Sequence, residues 1–236
     1  MKIDSQFMIE TFWIALSGVP VTLQLTFGSL LIAVFPAFFM AIGSMNQSRG
    51  VQNMIRFYVS LIRGTPIVLQ ILFFYSLLPS TLNLLFKSLH FDIDVFAVPP
   101  VLYAYVVFTL NTIASLTEVF RSALSTVSKG QLEAAQSVGL TQVQAYLRIV
   151  IPQAFVVALP NLCNVTVNLL KGTSLAFLMT VKEVTALAKL EASYGYNYIE
   201  AYLDIFIIYI IMCTLVQILF RSIEKYMGIY HKGLAT

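Results

Sequence analysis

The 236-residue chain is 58% apolar and only 11% charged, with a formal charge of +3 and a mean hydropathy of +0.84. Soluble domains carry about 25% charged residues, so composition excludes an ordinary water-soluble protein and makes lipid the solvent. The small positive excess is a matter of membrane topology and points to no nucleic-acid partner.

The charges fall in clusters. None lies between Glu10 and Arg49, Arg63 and Lys87, Asp94 and Glu118, Arg148 and Lys171, or Asp204 and Arg221. A helix needs roughly 20 apolar residues to cross the hydrocarbon core, so these gaps predict five spans, at about 20–45, 54–79, 97–120, 154–177 and 202–222. The expected fold class is an all-α membrane protein forming one transmembrane domain over 1–236.

In chain order, residues 5–17 read as an interfacial amphipathic helix with Phe12 and Trp13 at headgroup depth. Asp4 and Glu10 stand where a signal peptide would be basic. Pro20 sits near the start of the first span, and Pro36 in its interior predicts a kink. Asn46-Gln47-Ser48-Arg49-Gly50 forms a short turn, Pro79 closes span two, and Pro99-Pro100 opens span three after Asp92 and Asp94. The segment 121–153 is long and polar, and reads as a helix interrupted at Gly139, resuming through Leu147 and stopped by Pro152.

Lys and Arg placement predicts N-out and C-in. Inside segments then hold Arg49, Arg56, Arg121, Lys129, Arg148, Arg221, Lys225 and Lys232 against Glu118, Glu133 and Glu224. Outside segments hold Lys2, Lys87, Lys182 and Lys189 against Asp4, Glu10, Asp92, Asp94, Glu183, Glu191, Glu200 and Asp204.

Polar residues inside spans are costly and usually face a bundle interior or an aqueous path. On span four, Asn161, Asn164, Asn168 and Lys171 recur at helical spacing on one face. Asn111, Ser115 and Glu118 do the same on span three, and Arg63 and Gln70 stand one heptad apart on span two. Asn and Gln both donate and accept, which suits a zwitterion crossing the membrane. The same residues also suit interhelical packing, and the residue pattern leaves both roles open. Arg63, beside Gly64 and Pro66, either caps carbonyls freed by the break or pairs with Glu118. Cys163 and Cys213 both fall in spans, where a disulfide framework or metal site lacks its further ligands. The two histidines, His90 and His231, fall in polar segments on opposite sides, which disfavours a haem carrier. No nucleophile–base pair is visible, and no catalytic or metal-binding residue is expected.

The segment 121–153 carries a motif. Glu133-Ala134-Ala135, then Gly139, then Ile149, Ile151 and Pro152 resembles the cytoplasmic signature of ABC importer permeases, with Ile151 in place of the usual leucine. Small alanines suit a groove, Glu133 offers a carboxylate to a basic partner, and Gly139 can take a positive φ and turn the chain. The resemblance narrows to the polar amino-acid permeases through Arg63-Gly64-Thr65-Pro66 with Gln70, Glu118-Val119-Phe120-Arg121, Gly130-Gln131, Pro152-Gln153-Ala154, Pro160, Asn164 and Lys171-Gly172-Thr173-Ser174-Leu175. It runs from about Gly18 to Tyr226. Gly172 departs from the family's aspartate, Ser115 from a common aromatic, and Ser122-Ala123 from the usual glycines. Tyr194-Gly195-Tyr196-Asn197-Tyr198 with Glu200 to Asp204 resembles the cystine subgroup.

The resemblance implies a type I ABC importer permease fold in the cell membrane of a prokaryote, with Glu133, Ala134, Ala135 and Gly139 docking an ATPase. It implies two ATPase subunits per complex carrying the ATP and Mg, no cofactor on this chain, an extracytoplasmic amino-acid-binding protein, and a second permease copy. No Walker-type phosphate loop is present in the sequence. A stand-alone secondary transporter is the alternative, although neither an internal repeat nor several embedded acids appears.

Overall fold

The computed structural model describes residues 4–46, 48–91 and 94–234. Lys2, Gln47 and Asp92, used above, lie outside the described residues. The described residues are helical almost throughout, since in lipid each backbone N–H and C=O must be satisfied within its own segment. The helices are α1 (Ser5–Leu16), α2 (Val19–Asn46), α3 (Arg49–Arg63), α4 (Ile67–Ser88), α5 (Pro100–Thr126), α6 (Lys129–Ser137), α7 (Gln142–Ala145), α8 (Ile151–Gly172), α9 (Val184–Gly195) and α10 (Tyr198–Leu234). Five stretches are long and apolar enough to cross a membrane: Ser5–Met45, Ile67–Ser88, Pro100–Thr126, Gln142–Met179 and Tyr198–Met227.

The bundle is organised on α5, which packs along α2 on one side and α8 on the other, with α10 against α8. Thr22, Thr26, Ser29, Ala33, Ala37 and Ala41 recur every three or four residues on α2, all fully buried. Small side chains let the two backbones approach closely. The threonine hydroxyls bond back to Gly18 O and Thr22 O at 3.2 and 2.8 Å, whereas the buried Ser29 hydroxyl has no partner among the described residues. Phe108, Leu25, Ile71 and Met179 fill the core at one end, and Ala123, Leu124, Ala154 and Ala158 fill it at the other.

Span two differs from expectation. The chain does not cross at 54–79. It breaks at Gly64-Thr65-Pro66, and the crossing helix is α4. Pro66 lacks an N–H and drives Thr65 out of the α region, so α3 stands as a separate helix. On α3, Arg49, Arg56 and Arg63 line one face, Val59 and Ile62 pack inward, and Met54, Phe57 and Leu61 are exposed. Pro79 does not close a span; it is carried inside α4, where Ser80 and Thr81 bond back to Ser76 O and Leu77 O.

Pro152 likewise does not stop its helix. Tyr146–Val150 is a π-helical turn that feeds directly into α8, with Pro152 in the first turn of α8. The wider turn accommodates a residue that has no N–H to give. Above α8, Thr173–Met179 continues as a 3₁₀ helix. α1 packs against α9 and α10 with Thr11 and Ala15 buried; Phe12 turns into that cluster while Trp13 stays exposed.

Candidate functional site: a loop motif and a polar face

Two regions gather the residues singled out above. The first is the loop between α5 and α8. α6 ends in a left-handed residue, Gly139, at φ +88°. Gly139 N–H donates to Gln136 O at 3.0 Å and Leu140 N–H to Ala135 O at 3.1 Å, the paired closure that glycine makes at a helix C-terminus. A Cβ at Gly139 would meet nothing within 4 Å, so the dihedral requires glycine and crowding does not. Thr141 starts α7 with a reciprocal cap: its Oγ1 accepts from Gln144 N–H at 3.3 Å, and Gln144 Oε1 accepts from Thr141 N–H at 3.0 Å. The result is two short helices locked at a fixed turn by bonds no longer than five residues.

Glu133 and Ala134 are exposed on α6, whereas Ala135 is buried and belongs to the packing of the loop itself. Val138, Val143 and Leu147 are also exposed, at 79%, 68% and 61%. Sequence reading missed these three; their signal was apolar residues standing in an otherwise polar segment.

The second region is the face shared by α5, α8 and the end of α3. Asn161, Asn164, Asn168 and Lys171 are all exposed on one side of α8, while Thr166, Val167, Leu169 and Leu170 are buried on the other. Asn168 and Ser115 are the polar walls common to two recesses. One, of about 220 Å³, is lined by Asn111, Thr112, Ser115 and Asn168 and closed by Gly172. The other, of about 390 Å³, adds Arg63, Glu118, Arg121 and Asn161. A third recess of about 380 Å³ shares Glu118 and Arg121 and brings in Ser44 and Arg56. Asn164 lies on the same face but lines none of the three. Lys171 stands at its edge, within electrostatic reach of Cys213 on α10.

The role expected of Arg63 falls to Gln70. Buried at 7% exposure, its Nε2 donates to Ile62 O at 2.7 Å, Thr65 O at 3.1 Å and Thr65 Oγ1 at 2.8 Å, capping the carbonyls that the break frees. Asn111 Nδ2 donates to Gln70 Oε1 at 3.2 Å, and Tyr58 O–H to Leu110 O at 2.7 Å. These bonds pin both halves of the broken helix to α5. Glu118 is held by Arg121, whose Nη2 lies 2.7 Å from Oε2 and whose Nε lies 3.2 Å from each carboxylate oxygen. Arg63 acts on Glu118 only at longer range.

One buried carboxylate escaped the sequence reading. Glu183, counted above among loop acids, is fully buried. It accepts from Thr185 N–H at 2.8 Å, Ala186 N–H at 2.9 Å and Tyr209 O–H at 3.1 Å, capping α9 and tying it to α10. A Cβ on Gly18 would lie 2.5 Å from Val184 N, so the α1–α2 junction presses directly on this node. Burial raises the Glu183 carboxyl to about 7, although its hydrogen bonds pull in the opposite direction. Glu200 and Asp204 are buried too, and Glu200 Oε1 accepts from Asp4 N–H at 3.1 Å. Three of the eight acids assigned to the outside are therefore buried, and Asp204 Oδ2 has no hydrogen-bond partner among the described residues.

The profile of the family described as "binding-protein-dependent transport system inner membrane component" matches residues 29–228. The chain belongs to that family. Among similar permeases, the probable amino-acid permease protein YxeN of Bacillus subtilis is 34% identical over 96% of each chain. The L-cystine transport system permease protein TcyL of the same organism is 33% identical over 87% of this chain and 84% of its own length. The octopine transport system permease protein OccM of Rhizobium radiobacter is 34% identical over 95% and 90%. A crystal structure of an amino acid ABC transporter with histidines superposes with a TM-score of 0.79, at 28% identity, covering 96% of this chain and all of that one. The inward-facing MetNI methionine ABC transporter shares the fold, with a TM-score of 0.68 at 16% identity over 91% and 96%.

The permease is thus the membrane-spanning transport component of an amino-acid ABC importer with the type I fold, a multi-pass inner-membrane protein of a prokaryote. Membership of this family implies an ATPase and a substrate-binding protein as partners, and it displaces the stand-alone secondary transporter.

Proposed function

We propose that this permease passes a polar amino acid inward by alternating access, along the face of Asn161, Asn164 and Asn168, and that it works as a homodimer. The observation that carries the reading is exposure. Three asparagines and a lysine stand uncovered on a helix that crosses the membrane, where lipid contact is costly. A second copy facing this side covers them and leaves water between. The recesses along Ser115 and Asn168 offer amide and hydroxyl groups to an ammonium and a carboxylate. L-Cystine is the first substrate to try, supported by the likeness to TcyL and by the tyrosines at 194–202.

In this reading Glu133, Ala134, Val138, Val143 and Leu147 form the surface that meets one ATPase subunit, two such subunits serving the dimer. The ATP and Mg sit on those subunits, and this chain holds no cofactor and changes no bond. The α6–Gly139–α7 element lies in the cytoplasm with the C-terminus, and the α9 end faces the binding protein. Closure of the ATPases draws the two loop elements together and turns the α8 faces outward; hydrolysis resets them.

The test is uptake of radiolabelled L-cystine by proteoliposomes holding the full complex. Asn168→Leu is expected to lower kcat/KM about tenfold or more, the loss of one to two good hydrogen bonds, while basal ATPase activity persists. Uptake kinetics equal to wild type would relegate Asn168 to packing.

A further inference from the structure

We infer that this path selects by charge: it admits amino acids with neutral or anionic side chains and turns away those with a cationic side chain. The inference rests on the pathway reading above and adds the substrate class.

Charge is unevenly distributed over the three recesses. The innermost, lined by Asn111, Thr112, Ser115 and Asn168, carries no charge. The other two carry Arg56, Arg63 and Arg121 against a single acid, Glu118. The charge of Glu118 is already balanced by Arg121, which donates to both carboxylate oxygens. Arg56 and Arg63 make no ion pair within 4 Å among the described residues. They stand one heptad apart, on the same face of α3.

An amino acid brings one carboxylate and one ammonium whatever its side chain. The carboxylate finds Arg63 and the asparagine amides. The ammonium finds amide, hydroxyl and backbone oxygens, which suffice for one partly hydrated cation. A lysine or arginine side chain brings a second cation that must shed water beside two guanidiniums without an ion pair, where the one carboxylate is already balanced by Arg121. A buried charge without a counter-charge is strongly disfavoured, and like charges across a binding surface add to the penalty. A glutamate side chain meets the opposite situation, and a glutamine side chain a neutral one.

The test isolates this chain's contribution from that of the binding protein. Purified permease–ATPase complex, without binding protein, is titrated with radiolabelled L-glutamine, L-glutamate and L-lysine at pH 8. Glutamine and glutamate are expected to bind at least about tenfold more tightly than lysine. Asn168→Asp is isosteric and puts a carboxylate on the wall shared by the first two recesses; it is expected to bring lysine to parity with glutamine or beyond. Arg63→Gln is expected to remove any preference for glutamate over glutamine. Wild-type binding of lysine within about threefold of glutamine would overturn charge selection and leave the pathway reading standing. An Asn168→Asp protein whose ratio does not move would overturn it too. Saturable binding of none of the three, nor of L-cystine titrated alongside them, would overturn the pathway reading along with it. The wild-type ratio decides the matter even where a variant fails to fold.

Discussion

The chain breaks its helices in two places that look alike in sequence and are held in opposite ways. At Gly139 the turn is closed by its own neighbours: two backbone bonds into α6 and a reciprocal cap on α7, all between Ala135 and Gln144. At Gly64-Thr65-Pro66 local closure is partial, and the freed carbonyls are capped by Gln70, which Asn111 of α5 in turn orients. The first is a self-contained bent unit whose closing bonds all lie within the loop. The second is a joint whose shape depends on how α5 sits, and it carries Arg63 to the edge of the polar recess. One break is closed by its own neighbours and the other by a neighbouring helix.

The largest expected effect comes from breaking the joint. Gln70→Leu strands the Ile62 and Thr65 carbonyls, at about 1–3 kcal/mol for each buried group left unpaired. Thermal unfolding of the purified complex is expected to show a clear drop in Tm, and an unchanged Tm would mean water replaces the amide without loss. Gly139→Val comes next. A branched side chain in the left-handed region costs about 1–2 kcal/mol, and the expected readout is loss of transport-coupled ATPase stimulation with insertion intact. Asn111→Leu removes one bond to Gln70, worth about 0.5–1.5 kcal/mol, and sharpens the comparison because it disturbs the joint from another helix. No single substitution outside residues 129–150 is expected to shift the Gly139 turn comparably, as hydrogen exchange at Leu140 and Gln144 would report.

The smallest effect is a slope. Glu183 has its carboxyl raised to about 7 by burial, so between its unfolded value and about 7 the native state holds the extra proton. Stability is then greatest below the unfolded value and falls as pH rises through 7, by at most about 1.4 kcal/mol per pH unit for one proton. Glu183→Gln is expected to flatten that slope between pH 5 and 8 in chemical denaturation; a slope equal to wild type would place the titration elsewhere.

The same contrast explains what could be read from the chain. The Gly139 turn was legible because the residues that make it are adjacent. The five crossings were legible because charge avoids lipid, and the gap from Arg63 to Lys87 already outlined α4. The 54–79 placement failed because it ran through Arg63 and Gly64-Thr65-Pro66, where the helix breaks, and nothing nearby reveals that Gln70 and Asn111 hold the break. Pro152 looked like a stop because a π turn ahead of it leaves no local mark. Glu183 looked like a loop acid, because glutamate is not a usual N-cap residue. The close approach of Gly18 and the bond from Tyr209 arise only in the folded chain. On the polar face, helical spacing placed the four α8 residues together correctly, but which of them share a recess depended on α3 and α5.

In the proposed function the α8 asparagine face borders water and substrate rather than lipid. The most direct test is thiol labelling of the assembled complex in membranes, with Cys163 and Cys213 replaced by alanine. Single cysteines at Asn161, Asn164 and Asn168 are compared with cysteines at the exposed apolar positions Phe35 and Phe206. The account predicts that a membrane-impermeant maleimide modifies the three asparagine positions and that substrate protects Asn168. Labelling of all three no faster than at Phe35 and Phe206 would contradict it.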